Sequence, residues 1–305
     1  MLDCLGKIGV FCKYKHNPSS LVDTSTFPFL ETLIEIALAE DIGDGDHSAR
    51  AVTPKDNHGK AQLLVKEPGI LAGIPLAVKI FEKVDPSLKV SLFKKDGDRV
   101  VPGDIAFLVE GPSISILSAE RTVLNFMQRL SGVATVTRRY ADIISGTKAR
   151  VLDTRKTTPG WRHLEKYAVR VGGGMNHRMG LYDMIMLKDN HIDLCGGMEK
   201  ALKKTHEYLQ NLGKDLPIEI EVRDLDELKE CLKLTGFQRI MLDNFTPEDT
   251  HYAVELIHGR FEIESSGGIT DRNILDYAEA GVDFISVGAL THSVKSLDLS
   301  LKAIG

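Results

Sequence analysis

Four apolar, strand-like runs in the last third of the chain end near Val222, Asp243, Ser265 and Val287, at steps of 21 to 22 residues. A helical segment fits between each successive pair. That is a repeated βα pattern, which calls for parallel strands joined by right-handed crossovers. Two earlier runs, ending near Asp153 and Lys188, extend the series to six. Eight units close a full barrel, so the spacing predicts an incomplete α/β barrel over residues 134–289.

The first half has a different rhythm. Leu30, Leu33, Ile34 and Ala37 recur at helical spacing after Phe27-Pro28-Phe29. The acidic stretch from Glu40 to Arg50 sets Asp44 and Asp46 around Gly45, as a calcium loop does. It lacks the glutamate such a loop needs at its twelfth position, so the stretch reads as a turn. Strand-like runs cover Ala61–Val65, Ile70–Gly73, Val90–Phe93 and Ile105–Glu110, with a helix from Pro75 to Val84 among them. This mixed order predicts an N-terminal α/β sandwich over residues 29–133 rather than a doubly wound sheet. Ser113 or Ser115 is placed to cap a long helix, SILSAERTVLNFMQRLSG, with Ile116, Val123, Leu124, Met127 and Leu130 on its apolar face. Residues 1–28 read as an N-terminal extension, with disorder left open, and residues 290–305 as a C-terminal helix packing back on the N-terminal domain.

In βα barrels the working residues lie at the C-terminal ends of the strands. Applied here, that rule delivers Thr154, Arg155 and Lys156, then Lys188, Glu221, Asp243, Ser266 with Gly267, and Gly288. Each predicted strand end carries a polar, charged or glycine residue. The segment from Arg150 to His191 holds eight Lys/Arg against four Asp/Glu, in a chain of net charge -5. Its cations sit beside Thr, Pro, Gly and Asn, not in the i,i+4 pairs of a solvated helix face. They outline a pocket for a ligand with several negative charges.

Glu219 and Glu221 share one face of the strand IEIEV, and Asp243 ends the next strand. Two separated carboxylates near a cationic pocket suit a Mg²⁺ that keeps most of its waters and bridges to substrate phosphates; pairing of each carboxylate with a neighbouring cation is the competing arrangement. The run Glu264-Ser265-Ser266-Gly267-Gly268 offers backbone N–H groups to an anion, and Gly288 lies on the next loop. These are the two loops that usually hold phosphate in such barrels.

Composition excludes several classes. Aromatics are 6% of the residues and the balance is acidic, against both a base-stacking platform and non-specific binding to nucleic acid. No apolar run approaches a membrane span. Cys4, Cys12, Cys195 and Cys231 lack C-x-x-C spacing and read as free thiols of a cytoplasmic protein. Neither G-x-G-x-x-G nor a P-loop pattern occurs.

The motifs AERTVLNFMQRLSG, VLDTRKTTPGWRHLEKYAVRVGGGMNHRMGL, IMLKDNH, EIEV, IMLDNF, ESSGGIT and VDFISVGALTHS, in this order, resemble the quinolinate phosphoribosyltransferase family, also called nicotinate-nucleotide pyrophosphorylase (carboxylating). The resemblance implies a sandwich followed by an incomplete barrel. It also implies Mg²⁺-dependent conversion of quinolinate and 5-phosphoribosyl-1-diphosphate to nicotinate mononucleotide, diphosphate and CO₂, a step of NAD biosynthesis. Carried over, Arg155, His177, Arg178 and Lys188 resemble the pocket for the quinolinate carboxylates. Lys156 and Thr154 fall near the diphosphate and the reacting centre, Glu221 and Asp243 on the ribose and Mg²⁺ side, and Ser266, Gly267 and Gly288 at the 5′-phosphate. Lys156, Lys188, Glu221 and Asp243 are thereby the expected catalytic residues.

Arg121 reads from spacing alone as the partner of Glu120 on a surface helix. The resemblance makes it an arginine that reaches the active site of the neighbouring subunit of a homodimer, with assembly to a hexamer left open. Two other readings stay in play: a paralogue acting on another pyridine carboxylate, and a sugar-phosphate aldolase with Lys188 as Schiff-base former.

Overall fold

The computed structural model describes residues 27–304, so the expected extension lies, but for Phe27 and Pro28, outside the described residues. Helix α1 (Leu30–Ile42) turns Leu30 and Ile34 inward. The stretch read as a turn continues into a short helix, α2 (His47–Val52), because the Asp46 side chain accepts a hydrogen bond from Ala49 N at 2.9 Å. The second aspartate of the apparent calcium loop is therefore a helix cap.

Next come β1 (His58–Val65), β2 (Gly69–Ile70), α3 (Ile74–Val84), β3 (Lys89–Leu92), β4 (Arg99–Val100) and β5 (Ile105–Pro112). Alternation in β1 buries Ala61, Leu63 and Val65. Helix α4 (Ser113–Ile143) runs for 31 residues, so the boundary expected at 133 falls inside a helix shared by both domains. Neither serine caps it: Pro112 occupies the cap position, and Ser115 Oγ donates to Asp85 Oδ2 at 2.7 Å.

The barrel follows as β6 (Arg150–Leu152), α5 (Arg162–Val171), β7 (Ile185–Leu187), α6 (Asp189–Cys195), α7 (Met198–Leu212), β8 (Ile218–Val222), α8 (Leu225–Cys231), β9 (Arg239–Asp243), α9 (Pro247–Ile257), β10 (Glu262–Ser266), α10 (Ile274–Glu279) and β11 (Phe284–Ser286). Its six strands are parallel, in the order β6-β11-β10-β9-β8-β7. The first two strands in sequence thus stand at opposite edges, leaving an open seam between them. The segment joining them crosses that seam and touches β6 through a single parallel bridge, Leu152 with Met175.

The chain ends in α11 (Ala289–His292) and a strand, β12 (Leu299–Ile304), instead of the expected C-terminal helix. Leu299 and Leu301 are buried and Ser300 and Lys302 are not, a period of two that no helix can use. β12 pairs antiparallel with β1, so the segment does return to the N-terminal domain, as the edge of a β12-β1-β5-β3 sheet. A second tie between the domains is the half-buried Asp96. It accepts from the Gly73 and Ile74 N–H groups at the start of α3 and from Tyr167 Oη on α5.

Candidate active site

Sheet order fixes how the candidate residues follow one another around the barrel mouth. From the β6 edge the sequence is Arg155 and Lys156, Gly288 after β11, Ser266 and Gly267 at the end of β10, Asp243 on β9, Glu221 on β8 and Lys188 after β7. His177 and Arg178 lie on the segment that crosses the seam. All the strand-end residues named from sequence therefore share one end of one sheet.

On the β7 side, Lys188 Nζ forms an ion pair with Glu221 Oε2 across neighbouring strands. Lys188 also heads α6, where its N–H donates to His191 Nδ1 at 3.1 Å. Arg178 is buried and donates through Nη1 to Met184 O at 3.1 Å. Burial and the Arg155 cation beside it hold its guanidinium below the usual arginine range. A buried guanidinium with the like charge of the exposed Arg155 beside it calls for an anion between or beside them.

His177 has a different surrounding from the one expected. Its Nε2 lies 3.0 Å from Glu219 Oε2 and 3.4 Å from Glu264 Oε2, both carboxylates fully buried inside the barrel. Its Nδ1 lies 2.6 Å from the Arg178 N–H. Both ring nitrogens thus face protein groups, and the residue supports Arg178 from behind instead of presenting a donor to the pocket. Burial alone would lower the His177 pKa, but Glu264 and Glu219 override it and raise it to about 9.

Glu264 Oε2 also accepts from Arg239 Nη1 at 3.0 Å, and Arg239 stacks over the Phe284 ring at 4.1 Å. His177, Glu219 and Glu264 bring ligand-type atoms within 4.8 Å of one another. Arg239 pairs with Glu264, and His177 lies against both Glu264 and Glu219, so the cluster forms a charged floor beneath the pocket.

On the β6 side, the Lys156 N–H donates to Thr154 Oγ1 at 3.0 Å, so Thr154 shapes the turn that carries the lysine. A Cβ on Gly288 would stand 3.0 Å from Lys156 Cδ, which places the lysine stem directly over that glycine. Gly267 has φ +93°, and a Cβ there would meet Asn244 Oδ1 at 2.1 Å. Only glycine fits this loop, whose backbone closes by a bond from Asn244 N to Ser266 O at 2.8 Å. Asn244 Nδ2 in turn donates to Asp243 Oδ2 at 2.8 Å, leaving the other carboxylate oxygen without a hydrogen bond among the described residues.

Arg121 stands apart. It is exposed on α4 and makes no ion pair with Glu120 or any other acid among the described residues. The pairing expected from spacing alone is absent.

Sequence reading missed the groups beneath the site. Lys166 is 1% exposed and its Nζ contacts Asp153 and donates to His177 O. Glu165, also fully buried, holds Arg129 and Thr158. Period-two alternation did put Glu219 on the face of Glu221, yet nothing in the spacing marked Glu264 or Arg239 as its neighbours.

Comparison with known proteins matches residues 46–131 to the quinolinate phosphoribosyl transferase N-terminal domain and residues 133–302 to its C-terminal domain. The chain is 49% identical over 288 residues to the chloroplastic nicotinate-nucleotide pyrophosphorylase [carboxylating] of Arabidopsis thaliana, covering 90% of this chain and 82% of that one. It is 42% identical over 272 residues to the probable enzyme of the same name from Bacillus subtilis, covering 89% and 92%. The crystal structure of NadC from Streptococcus pyogenes superposes with a TM-score of 0.86 at 40% identity, over 92% of this chain and 99% of that one.

Proposed function

The chain belongs to the quinolinate phosphoribosyl transferase family, and we propose that its barrel mouth is a two-part site, with cations for quinolinate on one side and loops for the phosphoribosyl donor on the other. The protein is a pentosyltransferase. It transfers the phosphoribosyl group of 5-phosphoribosyl-1-diphosphate to quinolinate with loss of CO₂, forming nicotinate mononucleotide for NAD biosynthesis. Family membership sets aside the aldolase reading of Lys188.

One observation carries the two-part site. The buried Arg178, with Arg155 and Lys188, stands at the seam and its β7 edge, while Gly267, Gly288 and Lys156 stand where β10, β11 and β6 end. Asp243 and Glu221 lie between the two groups.

Arg155 and Arg178 receive the quinolinate carboxylates as planar, charge-assisted donors. The backbone around Ser266 and Gly267 takes the 5′-phosphate, and Lys156 meets the diphosphate. Glu221 and Asp243 hold the ribose hydroxyls as the bond from C1 to the diphosphate oxygen breaks and C1 gains oxocarbenium character. The pyridine nitrogen then bonds to C1. The resulting cationic ring nitrogen stabilises, by its adjacent positive charge, the carbanion left at C2 when the carboxylate departs as CO₂, and that carbanion is then protonated. Positioning and fixed charge supply most of the acceleration.

Mg²⁺ belongs to this reading. The donor set fits, since Glu221 and Asp243 end adjacent strands as hard oxygen ligands and Asp243 keeps one carboxylate oxygen uncommitted among the described residues. When bound there, the ion neutralises diphosphate charge.

A homodimer, alone or as the unit of a hexamer, completes the site by presenting Arg121 to the neighbouring subunit. Its support is the exposure of Arg121 together with that of Leu117, 43% exposed one helical turn earlier on α4. The test mixes two impaired variants, Arg121→Ala and Arg178→Ala, at a quinolinate concentration too low for either alone to turn over. Random reassortment of a shared-site dimer restores about a quarter of wild-type activity. No recovery on mixing would confine Arg121 to its own subunit. Among the described residues no helix is long and apolar enough to cross a membrane. Cytoplasmic placement draws support from the free thiols Cys195 and Cys231.

A further inference from the structure

Lys156 is exposed and belongs to a loop beyond the end of β6, yet its backbone is anchored at the lysine itself and two residues downstream by one partly buried network. Downstream, the Thr158 N–H and Oγ1 donate to Glu165 at 3.0 and 2.8 Å. At the lysine itself, Thr291 Oγ1 donates to Lys156 O at 2.7 Å. A single guanidinium joins the two anchors. Arg129 on α4 donates to Glu165 from Nε and Nη2, at 3.1 and 2.7 Å, and from Nη2 also to Thr291 O.

The network is placed to act on the two loops that flank the lysine. Glu165 is fully buried in the first turn of α5, where a helix favours negative charge. Among the described residues, all four hydrogen bonds to its carboxylate come from Arg129 and Thr158. Thr291 is fully buried and follows Gly288 by three residues, so the same guanidinium fixes the loop after β6 to the loop after β11. These are the two loops between which the lysine stem passes over Gly288. A long, exposed lysine loses its advantage if its loop wanders, since catalysis by fixed charge depends on the charge being in place beforehand.

We propose that Glu165 and Arg129 are positioning residues, a clamp that holds Lys156 over Gly288 for the donor's diphosphate. The inference rests on the reading of Lys156 as the donor-side cation.

The test compares steady-state kcat and both KM values for Thr158→Val, Thr158→Ser, Glu165→Gln, Lys156→Ala and the Glu165→Gln/Lys156→Ala double variant, with melting temperatures measured alongside. Thr158 is exposed, so its variants keep the fold even if Glu165→Gln does not. Loss of the hydroxyl donor in Thr158→Val raises the donor KM about three- to tenfold, leaves the quinolinate KM within about twofold, and is reversed by Thr158→Ser. Glu165→Gln lowers kcat/KM for the donor, and adds nothing once Lys156 is already alanine, as expected of groups acting as a unit.

The clamp is overturned if both KM values rise together, if Glu165→Gln and Lys156→Ala are additive, or if Lys156→Ala is impaired while the Thr158 and Glu165 variants are not. An unimpaired Lys156→Ala would remove the donor-side reading itself, and the clamp with it.

Discussion

Lys188 and Glu221 form an ion pair between the ends of neighbouring strands. In the two-part site proposed above, that pair puts the quinolinate side and the ribose side within one side-chain contact. Glu221→Gln removes the carboxylate and keeps its shape. It is expected to lower kcat by about 10²- to 10³-fold, the scale of losing one fixed electrostatic group, with the quinolinate KM changed less. Rapid-quench single-turnover kinetics separate the chemical step from binding.

Arg178→Ala removes a buried guanidinium that the proposed site assigns to a quinolinate carboxylate. Loss of charge-assisted hydrogen bonds worth about 2–3 kcal/mol weakens quinolinate binding roughly 30- to 150-fold, while the phosphoribosyl donor still binds. Calorimetric titration with each ligand separately checks this. Unchanged quinolinate affinity would remove Arg178 from the acceptor pocket.

At Gly267 the backbone lies at φ +93° and a Cβ would meet Asn244. Gly267→Ala is expected to cost about 1–3 kcal/mol of strain, seen as a lower melting temperature, and to raise the donor KM by displacing the phosphate loop. An alanine variant with native stability and donor affinity would show that the loop takes another path.

The strand-end residues were legible because alternation and turn spacing locate strand ends, and a parallel barrel turns each end toward one mouth. Lys156, Lys188, Glu221, Asp243, Ser266 and Gly288 all follow from that single rule. Burial of charge was not legible. Glu165, Glu264 and Arg239 read in sequence as ordinary polar residues, and become a floor and a clamp only through partners as far as 87 positions away in the chain. β12 was misread because a run of six residues cannot tell a strand from a helix until its partner, β1, is known. His177 matched the family motif, but its ring faces inward to Glu219 and Glu264, a direction that no motif states.

The same histidine gives the fold a pH dependence. Its pKa is raised from 6.5 to about 9 in the folded protein, so the protonated form is the one that stabilises. Its contribution is complete below about pH 6.5 and is lost as the pH rises through about 9. Melting temperature is expected to fall across that window in the wild type, and to fall less in His177→Gln. A wild-type profile that rose from pH 7 to 9 would reverse the sign and contradict the carboxylate pairing.

The most direct test follows nicotinate mononucleotide and CO₂ together, in a reaction of the purified protein with quinolinate, 5-phosphoribosyl-1-diphosphate and Mg²⁺. The account predicts equal amounts of the two products, none after EDTA, and full recovery on restoring Mg²⁺. A ribosylated product without CO₂, or turnover with nicotinate in place of quinolinate, would contradict it.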